Sequence, residues 1–476
     1  MMVENKHNEL KRSLQNRHVQ MIALGGVIGT GLFYGSTESI QLAGPSTILA
    51  YLFGGLIIYF IMRMLGEMSV EEPTSGAFSF FAYKYWGGLA GFITGWNYWF
   101  LYILVSMTEL TVIGFYLDHW ILIDHWKSSF IVLILVTLIN LLNVRFYGEF
   151  EFALALIKVA AVVGVIVFGI FLIVTGISGN QASIHHLWDY GGFFPYGVMG
   201  VVLATCVVMF SFGGTELIGI AAGEVSDPQK TIPTAIRKVM WRVVIFYIGS
   251  MSIIMMISPW NMIGKNGSPF VTIFDTVGIP AAGHILNFVV IMAAISVYNS
   301  GIYSNSRMLY SLAIQKNAPH IFSKLSAACV PYVAILFSSI CTAVIVVINA
   351  LVPDNSFMRV MALATAAAII TWFIIVIVHL KFRKAHKNRK EPFIYAFGLY
   401  PYANYLCLCF LVLLLCIMFA SGFGKNGLMA QLFNIVGIRV SSIESYIPAQ
   451  MPDMSLAIII IPLWCLLLLL CYRLKR

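Results

Sequence analysis

Three ionisable side chains lie inside long apolar segments of this 476-residue sequence: Glu109, Lys158 and Glu216. An ionisable group at the centre of a bilayer costs roughly 2.5–3.5 kcal/mol on insertion scales, so each needs a partner or a function. Loss of hydration destabilises the charged form of a lysine or a carboxylate, which allows either group to load and release a proton. All three are therefore candidates for proton coupling. The alternative is a static buried pair of Lys158 with a carboxylate.

Two glycine-rich interruptions fall within apolar segments that are long enough to span a bilayer as helices. The first has the sequence LGGVIGTGLF over residues 24–33, and the second has FSFGGTELIG over residues 210–219. Broken backbone at membrane depth survives only where protein or a cavity covers it. A single interruption of this kind could serve close helix packing. Paired interruptions at matching places in two halves instead indicate a transporter binding site.

The interruptions also predict the chemistry of a ligand. Free N–H groups at the start of a helix suit a carboxylate, and here they belong to Gly29, Thr30 and Gly31. Free carbonyls before a break suit an ammonium group or a cation. The candidate carbonyls are those of Val27, Phe210, Ser211 and Phe212. A site that offers both kinds of group matches an amino acid zwitterion.

The composition indicates a polytopic membrane protein. Hydrophobic residues make up 60% of the chain and charged residues 10%, which is not typical of a soluble enzyme. The net charge is +9, but lysine and arginine lie between apolar segments and not on one basic face, so nucleic-acid binding is not expected. The eight cysteines show no metal-ligand spacing. We therefore expect neither enzymatic activity nor a metal or other cofactor.

Segments of about 20 apolar residues predict about twelve spans. They lie near 19–42, 46–68, 90–121, 127–144, 150–176, 198–222, 239–258, 280–312, 332–352, 357–380, 400–422 and 454–472. Lysine and arginine are concentrated in one set of loops, which predicts that both termini are cytoplasmic. Spans 1–5 and 6–10 form two blocks that each open on an interrupted span, and the odd number per block inverts the second block. The predicted fold class is all-α polytopic, with a five-plus-five inverted repeat and two extra helices.

The predicted domain boundaries follow from these spans. They are a cytoplasmic tail at 1–18, a first repeat at 19–176, a second repeat with its preceding external loop at 177–352, continuing through span 10 to 380, a basic cytoplasmic loop at 381–399, and spans 11 and 12 at 400–476 with an external loop at 423–453. Segments 73–83 and 226–233 are predicted to be either interfacial gate helices or packing connectors.

Ionisable residues near the ends of spans can reach the membrane surface with their long side chains. They are Arg63, Glu67, Glu149, Glu151 and Arg307. We expect these five to be interface anchors or members of structural ion pairs.

Five motifs follow one another along the chain: GGVIGTGLFYGS, AGPSTILAYLFGG, LGEMSVEEP, SFGGTELIGIAAGEVSDPQKTIP and SVYNSGIYSNSRMLYSLA. Together they resemble the bacterial amino acid transporter family of the amino acid/polyamine/organocation (APC) superfamily, over roughly residues 11–405. The resemblance implies a LeuT-type inverted repeat and proton-coupled import across the inner membrane. It implies that Lys158 stands where sodium-coupled relatives bind a cation, with Ser296 and Ser300 of span 8 approaching it. It also implies substrate contacts at Gly29–Gly31 and Phe210–Gly213.

The identity of the substrate is less well defined. Ser296–Ser300 and Met209–Gly214 resemble aromatic amino acid permeases, whereas Gly29–Ser36 and Met68–Val70 resemble proline-type members. We expect import of a neutral, aromatic L-amino acid with a proton, the bilayer being the other partner. The alternatives are another amino acid such as proline, histidine or lysine, with Glu109 as counter-charge for a cationic one, an exchanger, or an amino acid sensor. A channel is disfavoured because no filter repeat is visible. The oligomeric state is not indicated.

Overall fold

The computed structural model describes residues 14–74, 76–118, 120–176, 182–263, 270, 280–350, 356–421 and 454–475. Within these ranges the regular structure is helical, with one isolated β-bridge between Leu14 and Val225. Seven helical segments in the described residues are long and apolar enough to cross a membrane, and four further apolar helices are shorter. The chain is thus an all-α polytopic membrane protein, as the sequence predicts.

The first half of the chain begins with a broken helix. Its elements are α1 (Asn16–Gly25), α2 (Thr30–Phe33), α3 (Ser36–Ala43), α4 (Thr47–Glu71), α5 (Ala77–Tyr85), α6 (Gly88–Leu117), α7 (His125–Leu141) and α8 (Val144–Thr175). Residues 26–29 between α1 and α2 are not helical, and Gly29 has an extended backbone. The predicted interruption of span 1 is therefore present, and we call residues 26–29 the first break.

The second half of the chain also begins with a broken helix. Its elements are α9 (Gly197–Phe210), α10 (Leu217–Ala221), α11 (Pro228–Arg242), α12 (Ser250–Ile257), α13 (Pro280–Ile314), α14 (Tyr332–Ala350), α15 (Ser356–Ala385), α16 (Tyr402–Ser421) and α17 (Ser455–Lys475). Turns at residues 211–216 separate α9 from α10, and we call them the second break. Short 3₁₀ helices at Gly44–Ser46, Ile184–Leu187, Ala222–Glu224, Trp260–Met262 and His320–Ser323 complete the helical structure of the described residues.

Span 7 differs from its prediction. The sequence predicts a span at 239–258 that follows a separate amphipathic piece, whereas α11 begins at Pro228 and continues through a π-helical segment, Val243–Gly249, into α12. The side chain of Asp227 caps α11 by accepting a hydrogen bond from the backbone N–H of Lys230 at 3.3 Å. π-Helical turns inside helices often lie at functional sites, and this one carries Tyr247, which contacts both breaks.

The site is enclosed by three long helices. Helix α13 packs along α6 and against α8, and α6 also packs against α15. Most of α6, α13 and α15 is buried inside the protein, whereas α8 is mostly exposed on its apolar face, as expected for a helix that borders lipid. Gly301 allows the close approach of α13 to α6, because a Cβ there would lie 3.1 Å from the ring of Tyr102. The predicted external loop at 423–453 lies outside the described residues.

Candidate functional site

The two breaks lie directly against each other. Gly214 in the second break has φ +95°, and a Cβ at this position would lie 2.2 Å from the carbonyl oxygen of Gly26 in the first break. A Cβ on Gly31 would lie 2.8 Å from the Cα of Ser211. The glycines therefore allow two backbones to touch, so the packing role that the sequence left open applies here. In this conformation Gly31 faces Ser211 and not an open space.

Tyr247 connects the two breaks. Its hydroxyl lies 2.8 Å from the carbonyl oxygen of Val27 and 2.7 Å from that of Ser211. A phenol has one proton, so Tyr247 can donate to only one of these two carbonyls at a time. The sequence carries no local signal for Tyr247, because it is far along the chain from both partners.

The other two carbonyls predicted to be free have partners inside the second break. The backbone N–H of Gly213 donates to the carbonyl of Phe210 at 3.0 Å, and the hydroxyl of Thr215 donates to that of Phe212 at 3.0 Å. The expectation of free carbonyls is therefore wrong for this conformation, since short turns satisfy these groups locally. A ligand would have to displace or share such bonds.

Glu109 of α6 reaches the start of α2. The hydroxyl of Thr30 donates to its Oε1 at 2.8 Å, and the backbone N–H of Thr30 donates to the same carboxylate. A Cβ on Gly29 would lie 3.2 Å from Oε1. Glu109 is 2% exposed, and its Oε2 lacks a hydrogen-bond partner among the described residues. A protein carboxylate thus occupies the place where the sequence predicts a substrate carboxylate.

A small cavity of about 30 Å³ lies between the breaks and helices α6, α13 and α15. Its lining comprises Gly26, Val27, Gly29, Gly31, Leu101, Tyr102, Val105, Glu109, Phe210, Ser211, Gly213, Gly214, Glu216, Val297, Ala364 and Ala368. This volume is close to that of a single water molecule in the liquid. The surrounding helices must therefore move apart before an amino acid can enter.

Glu216 ends the second break and is 1% exposed. Its Oε1 accepts hydrogen bonds from the N–H of Gly214 at 3.2 Å, the hydroxyl of Tyr98 at 3.3 Å and that of Tyr102 at 3.4 Å. Its Oε2 accepts one from the indole N–H of Trp372 at 3.4 Å. These neutral donors tie the second break to α6 and α15.

Lys158 of α8 is fully buried and ties the first break to α13. Its Nζ donates to the carbonyl of Ile28 at 2.9 Å and to the hydroxyl of Ser296 at 2.8 Å. Ser296 therefore lies beside Lys158, as the resemblance implied. Ser300 lies one turn further along α13, with its hydroxyl 3.3 Å from that of Tyr147.

Glu151 is the residue that the sequence analysis misjudged. It is fully buried, it accepts a hydrogen bond from the hydroxyl of Ser296, and Asn299 donates to its Oε2 at 3.0 Å. The expectation of an interface anchor failed because α8 begins at Val144, so Glu151 lies well inside the helix. Its spacing of seven residues from Lys158, which places both on one helix face, could have indicated a link between them.

The remaining residues near span ends follow the expectation of structural ion pairs in two cases. Arg307 donates to Glu224 through Nε at 2.8 Å, and both side chains are buried. Glu67 is paired with Arg383 at 2.5 Å and is also buried.

Comparison with known proteins gives one family and several full-length relatives. The model of the amino acid permease family matches residues 18–470. The chain is 44% identical over 478 aligned residues to the aromatic amino acid transport protein AroP of Shigella flexneri, and the match covers 100% of this chain and 98% of AroP. The identity and coverage are the same for AroP of Escherichia coli strain K12. The uncharacterized amino acid permease YtnA of Bacillus subtilis strain 168 is 42% identical over 474 residues, which cover 99% of this chain and 96% of YtnA.

Proposed function

The chain belongs to the amino acid permease family, and on this premise we propose that it imports an aromatic L-amino acid together with a proton. It does so across the bacterial inner membrane by alternating access, with the two blocks of five spans acting as inverted repeats that move relative to each other. The orientation with both termini in the cytoplasm follows from the loop charges. The relatives named for aromatic amino acid transport support the substrate class.

The observation that carries the proposal is the convergence of one broken helix from each half on a closed cavity, beside a buried lysine. The breaks bring backbone groups of both halves to the same place, and Lys158 holds the carbonyl of Ile28 in the first break. Movement of one half relative to the other would therefore change the cavity and the surroundings of Lys158 together. This geometry supports coupling between a ligand in the cavity and a proton on the lysine.

The amine of the substrate would bind at the carbonyls of Val27 and Ser211. The single proton of Tyr247 serves only one of these carbonyls at a time. An ammonium group has three donors, so it can satisfy both carbonyls at once. Substrate binding would thus improve the hydrogen bonding of the breaks and replace Tyr247 as the link between them.

The carboxylate of the substrate would bind at the start of α2, beside Glu109. Two carboxylates at one helix start repel each other, and a proton on one of them removes the repulsion. Binding of the substrate therefore favours a protonated Glu109, whose hydrogen could be donated to the substrate carboxylate by the oxygen Oε2. This arrangement would link the arrival of the substrate to the arrival of a proton.

The side chain of the substrate would lie against apolar walls. Helix α15 contributes two alanines to the cavity, Ala364 and Ala368, and the opposite walls are formed by Leu101, Tyr102, Val105 and Val297. Small residues on one wall leave room for a bulky group once the helices separate, and Tyr102 offers a ring for contact with an aromatic substrate. These features support an aromatic side chain over a charged one.

The test is uptake of labelled phenylalanine into proteoliposomes under an inward proton gradient. We expect accumulation that requires the gradient, that a protonophore abolishes, and that unlabelled tyrosine and tryptophan inhibit more strongly than proline, histidine or lysine. Inhibition by proline, histidine or lysine alone would refute the aromatic assignment. Uptake that needs an internal amino acid but no proton gradient would identify an exchanger instead.

A further inference from the structure

A buried carboxylate that the proposed transport step does not use is connected to Lys158. Glu151 and Lys158 lie on the same face of α8, and both are fully buried. The hydroxyl of Ser296 on α13 lies between them: it accepts a hydrogen bond from Nζ of Lys158 at 2.8 Å and donates one to Oε1 of Glu151. One hydroxyl therefore bridges a buried cation and a buried carboxylate.

The chemistry of the three groups determines the direction of the bridge. An ammonium group can only donate hydrogen bonds, and an ionised carboxylate can only accept them. The hydroxyl of Ser296 must therefore accept from Lys158 and point its own proton at Glu151. This is the order of donors that a proton transfer from Lys158 to Glu151 requires.

The transfer balances without any further reactant. One N–H bond of Lys158 breaks as a new O–H bond forms on Ser296, while the original O–H bond of Ser296 breaks and an O–H bond forms on Glu151. The ammonium group becomes an amine, the carboxylate becomes a carboxylic acid, and the hydroxyl is regenerated. The total charge of the three groups does not change, so the transfer leaves no extra charge in the membrane.

Polar side chains continue from Glu151 away from Lys158. Ser300 is hydrogen-bonded to Glu151 and lies 3.3 Å from the hydroxyl of Tyr147. The ring of Tyr147 stacks on that of Tyr303, with centroids 4.2 Å apart, and the hydroxyl of Tyr303 donates to Glu224 at 3.1 Å. The loop charges predict that this end of α8 faces the cytoplasm.

Other ionisable groups near this end of α8 come from each neighbouring helix. They are Tyr147 on α8 itself, Arg17 and His18 on α1, Tyr303 and Arg307 on α13, Glu149 and Glu224 as acidic partners, and Tyr247 in the π-helical segment; helix α7 contributes the amide of Asn140 through Asn299. Arg307 is paired with Glu224, and Arg17 with Glu149, with His18 3.1 Å from the same carboxylate. Glu151 is linked to Lys158.

We propose that Glu151 accepts the transported proton from Lys158 through Ser296 and passes it towards the cytoplasm. The proposal rests on the proton-coupled import proposed above and assigns the next step of that transport. It differs from a static ion pair because Glu151 must change its protonation state in every cycle, whereas a static pair needs only a fixed polar partner for Ser296.

The test compares proton-coupled and proton-independent transport in the same proteoliposomes. The first measurement is phenylalanine-dependent acidification of the lumen, read with an internal pH dye, together with gradient-driven accumulation of labelled phenylalanine. The second is exchange of labelled for unlabelled phenylalanine at equal pH on both sides, which requires no net release of a proton. A purely structural defect lowers both measurements, and a lost proton acceptor lowers only the first.

Four variants separate these cases. Glu151→Gln keeps the size of the side chain and can still accept a hydrogen bond, but it cannot carry the proton. Ser296→Ala removes the bridging hydroxyl, and Ser296→Thr keeps it. Ser304→Ala is the matched control, because Ser304 is also a buried serine of α13 but donates to the backbone carbonyl of Gly301 at 3.0 Å.

We expect Glu151→Gln and Ser296→Ala to lower proton uptake and accumulation by about a hundredfold, at the low end of what positioned proton transfer contributes, with exchange close to that of the wild type. Ser296→Thr and Ser304→Ala should accumulate normally. Normal proton-coupled accumulation by Glu151→Gln would overturn the relay alone, and so would an equal loss of exchange, which indicates a structural pair. Accumulation of phenylalanine by the wild type without proton uptake would overturn proton coupling and the relay with it.

Discussion

Replacement of Gly214 by alanine is expected to separate the two breaks. Gly214 has φ +95°, in a region that side chains rarely adopt, and its Cβ would lie 2.2 Å from the carbonyl oxygen and 2.7 Å from the carbonyl carbon of Gly26. Both atoms belong to the backbone, so no flexible side chain can move aside. The backbone of one break must shift to make room.

The size of the effect follows from two costs. A left-handed conformation costs an L-residue about 1–2 kcal/mol, and overpacking of a filled interior typically costs about 1–3 kcal/mol. The sum is about 2–5 kcal/mol, and since each 1.4 kcal/mol is a factor of ten, the arrangement with touching breaks becomes about 30-fold to several thousand-fold less populated. A substrate that binds this arrangement should lose affinity by the same factor.

The assay is equilibrium binding of labelled phenylalanine to purified protein, with the unfolding temperature in detergent measured in parallel. Gly164→Ala is the matched control, because Gly164 lies in α8 and a Cβ there meets no atom within 4 Å. We expect at least about 30-fold weaker binding for Gly214→Ala and no change for Gly164→Ala. Binding and unfolding of Gly214→Ala that match those of the control would refute the reasoning, since contact between the breaks would then be unnecessary.

Three further predictions concern individual contacts. Lys158→Ala should abolish proton-driven accumulation while leaving binding of phenylalanine detectable, and normal accumulation would remove Lys158 from the coupling. Thr30→Val removes the hydroxyl that donates to Glu109 at 2.8 Å; a hydrogen bond to a charged group contributes about 1.5–3 kcal/mol, so affinity should fall about 10- to 100-fold and Thr30→Ser should retain it. Arg307→Met leaves the buried Glu224 unpaired, which costs about 3–5 kcal/mol and should lower the unfolding temperature. The double variant Arg307→Met/Glu224→Gln should recover most of that loss, and failure to recover would contradict the ion-pair explanation.

The membrane helices could be predicted because hydropathy acts on each segment separately. A bilayer excludes polar backbone and side chains wherever a segment crosses it, so a long apolar run indicates a helix whatever it packs against. The predicted span 90–121 corresponds to α6 (Gly88–Leu117), and the predicted span 332–352 to α14 (Tyr332–Ala350). The breaks were predictable for a similar reason, because clustered glycines weaken a helix locally.

The ends of helices were harder to predict, because a helix can continue beyond the apolar run. Helix α11 starts at Pro228 and α8 at Val144, whereas the apolar runs place spans 7 and 5 at 239 and 150. Polar residues in these extra turns are covered by neighbouring helices and not by water. Glu151 was therefore judged to be near an interface, although protein buries it completely.

The sequence by itself determined the class of the protein, the positions of the breaks and the identity of the buried ionisable residues, because composition and local pattern are sufficient for each. Only the tertiary structure decided which groups meet. Tyr247 contacts Val27, which is 220 residues away, Lys158 contacts Ser296, and Glu109 occupies the start of α2. Such partnerships depend on how the helices pack against one another, and a hydrogen bond forms only when two groups lie within about 3 Å. No local pattern in the sequence encodes that distance.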